Sequence, residues 1–349
     1  MFIPKLTITN TLLKRIARID AAQEVILNAP LVPAWERKFQ QEAVNRSAHH
    51  STKIEGNELS MKDVEKVLTG GRIQTRRIRD IQEVINYRNA IQYISEHFSE
   101  AERKMVTEGN LKGVHKALTV DILPENWRGR YRDKKAMEVD VVSGKTVFEA
   151  MSPAKLEKAL HGFFFWYNSR EGKEWHPVIR AGILHYQITY IHPFVEANGR
   201  TARTMATLSL YNDGYDIKRF FSLDEYYDQD IEQYYRFLQT ADKTGDVTEW
   251  LEYFSDGLGE ELNRIKERIV ALSRDRAFKD RVGGQIALSE RQIDIIKFVE
   301  KVGYFQNKDF KALYPDLSDD TILRELKPLI EKKLIKKQGK TRGARYVLT

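Results

Sequence analysis

The stretch IHPFVEANGRTAR, Ile191 to Arg203, gathers a histidine, a carboxylate, an Asn-Gly pair and two arginines. Ala197, Asn198 and Gly199 are small or tolerant of positive φ, so their N–H groups can form a concave anion nest. A helix starting near Gly199 or Arg200 adds roughly half a positive charge behind that nest. Arg200 and Arg203, three residues apart in its first turn, reach the same side. Nest, dipole and two guanidiniums together suit a polyphosphate. Glu196 alone would repel phosphates; it makes sense as a ligand of Mg2+, which takes a few carboxylates plus phosphate oxygens. His192 has the ordinary task of a neutral imidazole, taking a proton from an attacking hydroxyl. Base, metal ligand and phosphate cradle, in this order, read as a phosphate-transfer site.

Helices must hold such a loop in place. HPVIRAGILHYQITYI leads into it as a helix over Pro177 to Ile191, ended by Pro193, which disfavours helical geometry at His192. Arg200 to Tyr211 forms the helix behind it. Leu12, Leu13, Ile16, Ile19 and Val25 repeat at amphipathic-helix spacing. VPAWERKFQQEAVNRSAHHSTKIEGN reads as one long helix from Pro33 to a glycine stop at Gly56. Ser60 caps a short helix, and RRIRDIQEVINYRNAIQYISEHF, Glu102 to Leu118 and Pro153 to Asn168 complete the set. The apolar run Phe163 to Tyr167 predicts buried packing. Only AMEVDVVSGKTVFEA alternates, around Ser143-Gly144, and predicts a β-hairpin standing alone among helices. The fold class expected is therefore mainly α.

The chain has 349 residues, too many for one ordinary core, so two or three domains are expected. Its balance of 42% hydrophobic and 31% charged residues excludes a disordered chain. The absence of cysteine excludes disulfides and thiolate metal sites, and a reducing compartment suits it best. MFIPKLTITN lacks a secretory pattern, and no apolar run approaches the roughly 18 residues of a membrane span. A cytoplasmic protein without a membrane partner is expected.

HPFVEANGR resembles the signature of the Fic (filamentation induced by cAMP) family, in which Ala197 is one of two residues allowed at its place. The resemblance runs from about Trp127 through Tyr211, including WRGRYR and the hairpin, which stands where the family has its target-docking flap. It implies a helical domain that transfers AMP from ATP to a Ser, Thr or Tyr hydroxyl of a target protein. By it, His192 is the base and Glu196 holds Mg2+. Asn198, Gly199 and Arg200 bind the α- and β-phosphates, beside Ala197, and Arg203 the γ-phosphate. The flap from Glu138 to Glu149, with Val139, Asp140, Val141 and Val142, would clamp the target by adding its backbone as a strand.

Ser51, Glu55 and Gly56 in STKIEG would alone be an ordinary helix end. They also resemble the inhibitory helix of many Fic proteins, whose glutamate takes the place of the γ-phosphate on Arg203. The expected organisation is an N-terminal helical region over 1–100 carrying this helix, and a Fic catalytic core over 101–255. A helical linker over 256–284 would follow, then a winged-helix domain over 285–349.

That last assignment rests on three helices and a β-ribbon in about 65 residues, after the Gly283-Gly284 pair. From Arg281 to Thr349 there are 15 Lys and Arg against 9 Asp and Glu, an excess that invites nucleic acid. Lys336, Lys337, Lys340, Arg342 and Arg345 are the candidate DNA contacts. Asp319 and Asp320 at the start of the recognition helix, and Pro328 interrupting it, favour a protein-docking or dimerisation module equally. Arg72, Arg76, Arg77 and Arg79 read as a solvated face, and His115, His176 and His185 as core or surface histidines. Transfer of UMP, GMP or phosphate, removal of AMP, self-modification, a homodimer and a nucleotide-sensing DNA-binding regulator all stay open.

Overall fold

A computed structural model describes residues 2–29, 31, 33–98, 104–139, 146–281, 289–306, 308–309, 314, 318–331, 334–339 and 344–348. The N-terminal stripe forms α1 (Asn10–Leu27), capped by the Thr9 hydroxyl. Its buried face is Leu12, Ile16, Ile19, Ala22 and Ile26. Leu13 and Val25, expected in that face, are exposed, because each lies about 120° round the helix from its centre.

α2 (Pro33–Lys53) ends where the glycine signal placed its stop. Gly56 has φ +91°, its N–H reaches the Lys53 carbonyl at 2.9 Å, and the Asn57 N–H reaches back to Thr52 at 3.2 Å. This paired closure is the Schellman turn, and it leaves Glu55 as the last residue before the left-handed one. Then come α3 (Met61–Leu68), capped by Ser60, and α4 (Ile78–His97). α5 (Glu108–Leu118) begins later than the expected Glu102, because Thr107 and Asn110 form a reciprocal cap there.

The hairpin is present: β1 (Met137–Val139) pairs antiparallel with β2 (Thr146–Glu149), with an irregularity between Glu138 and Val139. Asp140, Val141 and Val142 lie outside the described residues. α6 (Pro153–Asn168) buries Phe163, Phe164, Trp166 and Tyr167, but Phe165 is 62% exposed, so the apolar run is not buried throughout. α7 (Arg170–Glu174) is a single turn before the central pair, α8 (Pro177–Ile191) and α9 (Asn198–Asn212), which pack along each other. α10 (Asp224–Gln229), α11 (Ile231–Thr244) and the 34-residue α12 (Thr248–Arg281) follow. Trp250 of α12 is fully buried and donates its indole N–H to the Gly182 carbonyl at 2.8 Å, fixing α12 on α8.

The chain divides into two compact units, Met1–Val270 and Ala271–Thr349. The expected boundaries at 100/101 and 255/256 do not separate units. The latter falls inside α12, whose Leu258, Leu262, Ile265 and Ile269 are buried beyond it. In the second unit α13 (Glu290–Val302) is capped reciprocally by Ser289 and Gln292. α14 (Asp319–Glu331) runs on through Pro328 instead of breaking there, with Leu326 and Leu329 buried on either side. β3 (Ile335–Gln338) and β4 (Arg345–Leu348) pair antiparallel, and Ile295, Val299, Phe305, Ile322, Ile335 and Tyr346 share their core. The helix expected from Asn307 falls largely outside the described residues. Among the described residues no helix is long and apolar enough to cross a membrane.

Nothing lies within 4 Å of where a side chain would stand at Gly56, so only its backbone needs glycine. Gly56→Ala is expected to cost roughly 1 kcal/mol. In a thermal melt that is a fall of about 2–4 °C, and an unchanged midpoint would contradict the turn as described.

Candidate active site

The loop between α8 and α9 is shaped by backbone strain and by its own side chains. Of Ala197, Asn198 and Gly199, read as small or tolerant of positive φ, Ala197 (φ +59°) takes the left-handed conformation, while Asn198 and Gly199 are helical; His192 (φ +52°) takes it as well. Asn198 ties the loop to itself: its carbonyl oxygen accepts the Phe194 N–H at 2.8 Å and its amide donates to the Phe194 carbonyl at 2.9 Å. Its side chain is thus spent on structure, and its N–H, first in α9, is what faces an anion. Phe194 is fully buried and stacks on His115 with ring centroids 3.8 Å apart.

His115 had no signal beyond being a histidine, yet it props the loop. Its Nδ1 accepts the Gly129 N–H at 2.9 Å, so Nε2 carries the proton and donates to the Glu196 carbonyl at 3.1 Å. Burial pushes its pKa down to about 3, which keeps it neutral. Arg132, from WRGRYR, is the other brace. It is buried, donates to the His192 carbonyl at 2.7 Å and to the Lys134 carbonyl at 2.8 Å, and also bonds the Met151 carbonyl. Lys134 and Met151 flank the hairpin, so one guanidinium joins the base of the hairpin to His192.

His192 itself is held neutral. Burial drives its pKa down to about 4, helped by Arg132 and opposed by the Thr189 backbone and by Glu55. A neutral imidazole at the mouth of an anion cradle is a proton acceptor.

Arg200 and Arg203 both point inward from α9 and are 2% and 3% exposed. Arg203 donates from Nε to the Ser51 hydroxyl at 2.8 Å, and from Nη2 to the Ser51 carbonyl at 2.9 Å and Glu55 Oε1 at 2.8 Å. Asp224 of α10 adds an ion pair at 3.3 Å. Although burial alone would lower it, the surrounding phenol and carboxylates hold the Arg203 pKa well above its ordinary value. Burial would likewise raise the Glu55 carboxyl, but Arg203 and Arg200 outweigh it and hold it below its usual range. Arg203 does meet Ser51 and Glu55, which lie 152 and 148 residues before it.

Gly199 explains how Glu55 comes so close. A Cβ there would stand 2.3 Å from Glu55 Oε1 and 3.1 Å from Arg203 Nη1. The carboxylate therefore lies on the first turn of α9, over the N–H groups an anion would use. Arg200 Nε and Nη1 and Arg203 Nη1 are buried without a hydrogen bond among the described residues. Arg200 has ion pairs with Glu83 at 3.3 Å and Glu196 at 3.5 Å.

The basic run before α4 is not simply a solvated face. Arg77 donates to the Gly56 carbonyl at 3.0 Å and pairs with Asp80, while Arg79 pairs with Glu83 and with Glu196. Asn57 donates to Glu83 and to the Asp80 carbonyl, so α4 staples the turn that carries Glu55. Glu83, Asp224, His115 and Arg132 were missed as site residues. Asp224 lies 21 residues from Arg203, and Glu83, His115 and Arg132 lie 60 or more from Arg200, Glu196 and His192, with no spacing to announce them, except that WRGRYR marked Arg132's neighbourhood. His185 is buried against the Tyr234 hydroxyl at 3.0 Å, as a core histidine. No group of three or more His, Cys, Asp or Glu placed to hold a metal occurs among the described residues.

The loop, the cradle and α11 together line a cavity of ≈ 240 Å³, with His192, Glu196, Gly199, Arg203, Tyr234, Tyr235 and Asp242 in its wall. The chain is similar to proteins called protein adenylyltransferase Fic. It is 26% identical over 68% of its length to the one from Nematostella vectensis, and 26% identical over 70% to the one from Drosophila grimshawi. It spans about half the length of these curated relatives, 52% and 47%. In fold it is similar to a Fic family protein from Desulfovibrio desulfuricans G20, with TM-score 0.66, 23% identity, and 100% and 98% of the two chains covered. Residues 105–210 match the Fic/DOC family model. The residues that match this family model hold the hairpin, His192 and the arginine-lined cradle.

Proposed function

We propose that this protein transfers AMP from ATP to a hydroxyl of a target protein, and that Glu55 holds it in a resting state. One observation carries the reading: a neutral histidine stands beside a buried arginine cradle that the chain's own carboxylate occupies. The name of the relatives supports the same chemistry.

In the proposed reaction His192 takes the proton of a Ser, Thr or Tyr hydroxyl. The oxygen attacks the α-phosphorus, the new P–O bond forms and the bond to the β-phosphate oxygen breaks. Pyrophosphate leaves, its charge met by Arg200, Arg203 and the N–H groups of α9. Glu196 lines the cavity on the loop between His192 and the arginines, and Mg2+ is commonly bound by one or two carboxylates plus substrate phosphates, so the donor fits. Glu196 would hold the ion, which would supply charge neutralisation at the phosphates. Among the described residues the hairpin is a two-stranded sheet with both outer edges unpaired, and a target segment adding to one would be recognised through its backbone.

Glu55 competes with a phosphate for one guanidinium. Such a charged hydrogen bond is worth about 1.5–3 kcal/mol. Glu55→Gly should therefore raise the labelling rate roughly ten- to a hundredfold, and Arg203 keeps Ser51 and Asp224 as partners in that variant. With ATP labelled at the α-phosphate, protein should be labelled in Glu55→Gly and not in Glu55→Gly with His192→Ala. Label entering from the γ-phosphate instead would mean phosphotransfer, and equal labelling with and without Glu55 would end the inhibition proposal.

Because burial holds His192 near 4, it stays deprotonated through neutral and mildly acidic pH. The acidic limb of kcat/KM should lie nearer pH 4 than the 6.5 of a free imidazole. Glu55 is among the influences that raise this pKa, so Glu55→Gly should not move the limb upward. A limb at 6.5 in that variant would argue against the buried, neutral base.

For the second unit we propose a winged helix that contacts nucleic acid. Lys336 and Lys337 are exposed side by side on β3, and Arg345 is exposed on β4, its guanidinium over the Tyr304 ring. Lys340 and Arg342 lie outside the described residues. A gel shift with duplex DNA should show a salt-dependent complex that Lys336→Ala with Lys337→Ala weakens, its salt slope falling by about 2. An unaltered slope would reject these contacts.

A further inference from the structure

Glu196 does not face the cavity unpaired. Its Oε1 is paired with Arg79 Nη2, which reaches over from α4, and lies 3.5 Å from Arg200 Nη2. The same two arginines meet again on Glu83, whose Oε1 lies 3.1 Å from Arg79 Nε and 3.3 Å from Arg200 Nη1. Two guanidiniums and two carboxylates therefore alternate in a closed ring, one oxygen of each carboxylate shared between both arginines. The ring is graded in depth: the side chains of Arg200 and Glu83 are 2% and 7% exposed, those of Glu196 and Arg79 32% and 56%. Burial fixes the inner half, and the outer half is open to water.

Arg79 does not depend on Glu196. A guanidinium more than half exposed keeps much of its hydration, so an ion pair of this kind is weak and readily exchanged. For Glu196 the consequence is larger, because the carboxylate that would hold a divalent cation already has cationic partners. One of them, Arg79, comes from outside the loop and α9. Glu55 does the same thing with the opposite sign, since it sits on Arg203 with the charge of the phosphate it would exclude. The resting site thus carries stand-ins of both signs, Glu55 for an anion and Arg79 for a cation. Both belong to one stapled junction between the end of α2 and the start of α4. Arg77, two residues before Arg79, donates to the Gly56 carbonyl at 3.0 Å, and Asn57 donates to Glu83 at 3.1 Å.

We infer that Arg79 is a second restraint on the site, acting on its cation side: it holds Glu196 in an ion pair that a divalent metal ion must displace. The inference rests on the nucleotide-transfer reading, with Glu196 as the metal ligand, and adds to it a competitor for that ligand. The two restraints answer to different ligands. Loss of the Glu55 carboxylate frees Arg203 for phosphate and leaves Glu196 paired. Loss of the Arg79 guanidinium frees Glu196 and leaves Glu55 in place. Arg200 keeps Glu83 as a partner in either case. Repulsion acts in the same direction as competition, since Arg79 would stand close to any cation that Glu196 held.

Calorimetric titration with α,β-methylene ATP, which resists cleavage of the bond between its α- and β-phosphates, tests it. Each protein is titrated once with EDTA and once with Mg2+, and the ratio of the two dissociation constants reads how far the ion helps binding. In Glu55→Gly with Arg79→Ala that ratio should be about threefold larger than in Glu55→Gly alone, the size expected of an exposed ion pair. The metal-free affinity should not improve, because Arg79 opposes the cation and not the phosphates. Adding Glu196→Ala to both proteins should abolish the difference between them. Arg79→Lys, which keeps the charge, should bring the ratio back toward that of Glu55→Gly. A merely structural role would shift both dissociation constants together and leave the ratio where it was. An unchanged or smaller ratio after Arg79→Ala overturns the restraint and leaves the nucleotide site standing. A ratio near one in both proteins removes the metal reading of Glu196, and this inference with it. No binding of the nucleotide, with or without Mg2+, removes the nucleotide reading itself, and the inference falls with that too.

Discussion

A buried guanidinium sets the terms for the site. Arg203 lies almost wholly out of water, and a charge there is tolerable only when it is paired and hydrogen-bonded. Three elements converge on it for that reason: the end of α2 through Ser51 and Glu55, α10 through Asp224, and α9, which carries it. Removing Ser51 or Asp224 would leave that charge less compensated, so α2 and α10 are held beside α9 by electrostatics as well as by apolar packing. Ser51 and Asp224 are both buried. Glu55 differs, because its side chain is partly exposed and sits on a turn, not within a helix.

The loop before α9 meets a different demand. It must display backbone N–H groups toward the cavity while keeping a left-handed His192 and Ala197 in place. Strain of that kind, on the order of 1–3 kcal/mol per residue, persists only where the surroundings over-determine the conformation. Asn198 bonds Phe194 from both ends of its amide, His115 supports Phe194 and the Glu196 carbonyl, and Arg132 grips the His192 carbonyl. None of these groups need touch a substrate. They hold the loop so that His192, Glu196 and the arginines act from fixed positions.

The legible part of this site was the part that is contiguous. His192, Glu196, Gly199, Arg200 and Arg203 are packed into thirteen residues, and their types alone point to phosphates. The helices were legible too where apolar spacing or a cap marked them, as at Pro153, Pro177 and Gly56. What periodicity could not show was direction within a helix. Phe165 sits in an apolar run yet faces outward, because a helix covered on one side exposes every residue on the other. Nor could it assign the loop's polar side chains: the Asn198 amide ties the loop to Phe194. Glu83, Asp224 and Asp242 are ordinary acidic residues until the fold brings them to an arginine or a cavity wall. The length of α12 was hidden for a related reason, since its charged surface reads as a linker while its buried side, from Leu258 to Ile269, is core.

Gly199 carries a consequence for how such a site can evolve. The space left by its missing side chain is where Glu55 lies, and under the proposed reading it is also where phosphate oxygens would lie. Two mutually exclusive occupants share one vacancy, so a larger residue at 199 evicts both. Under the proposed reading, loss of restraint cannot arise there without loss of activity. It must arise at position 55 or in the turn around it, and a glutamate codon becomes a glycine codon by one base change. The safeguard and the machinery are thus unequally robust: selection for activity protects the cradle from drift, while nothing in the chemistry protects the residue that fills it.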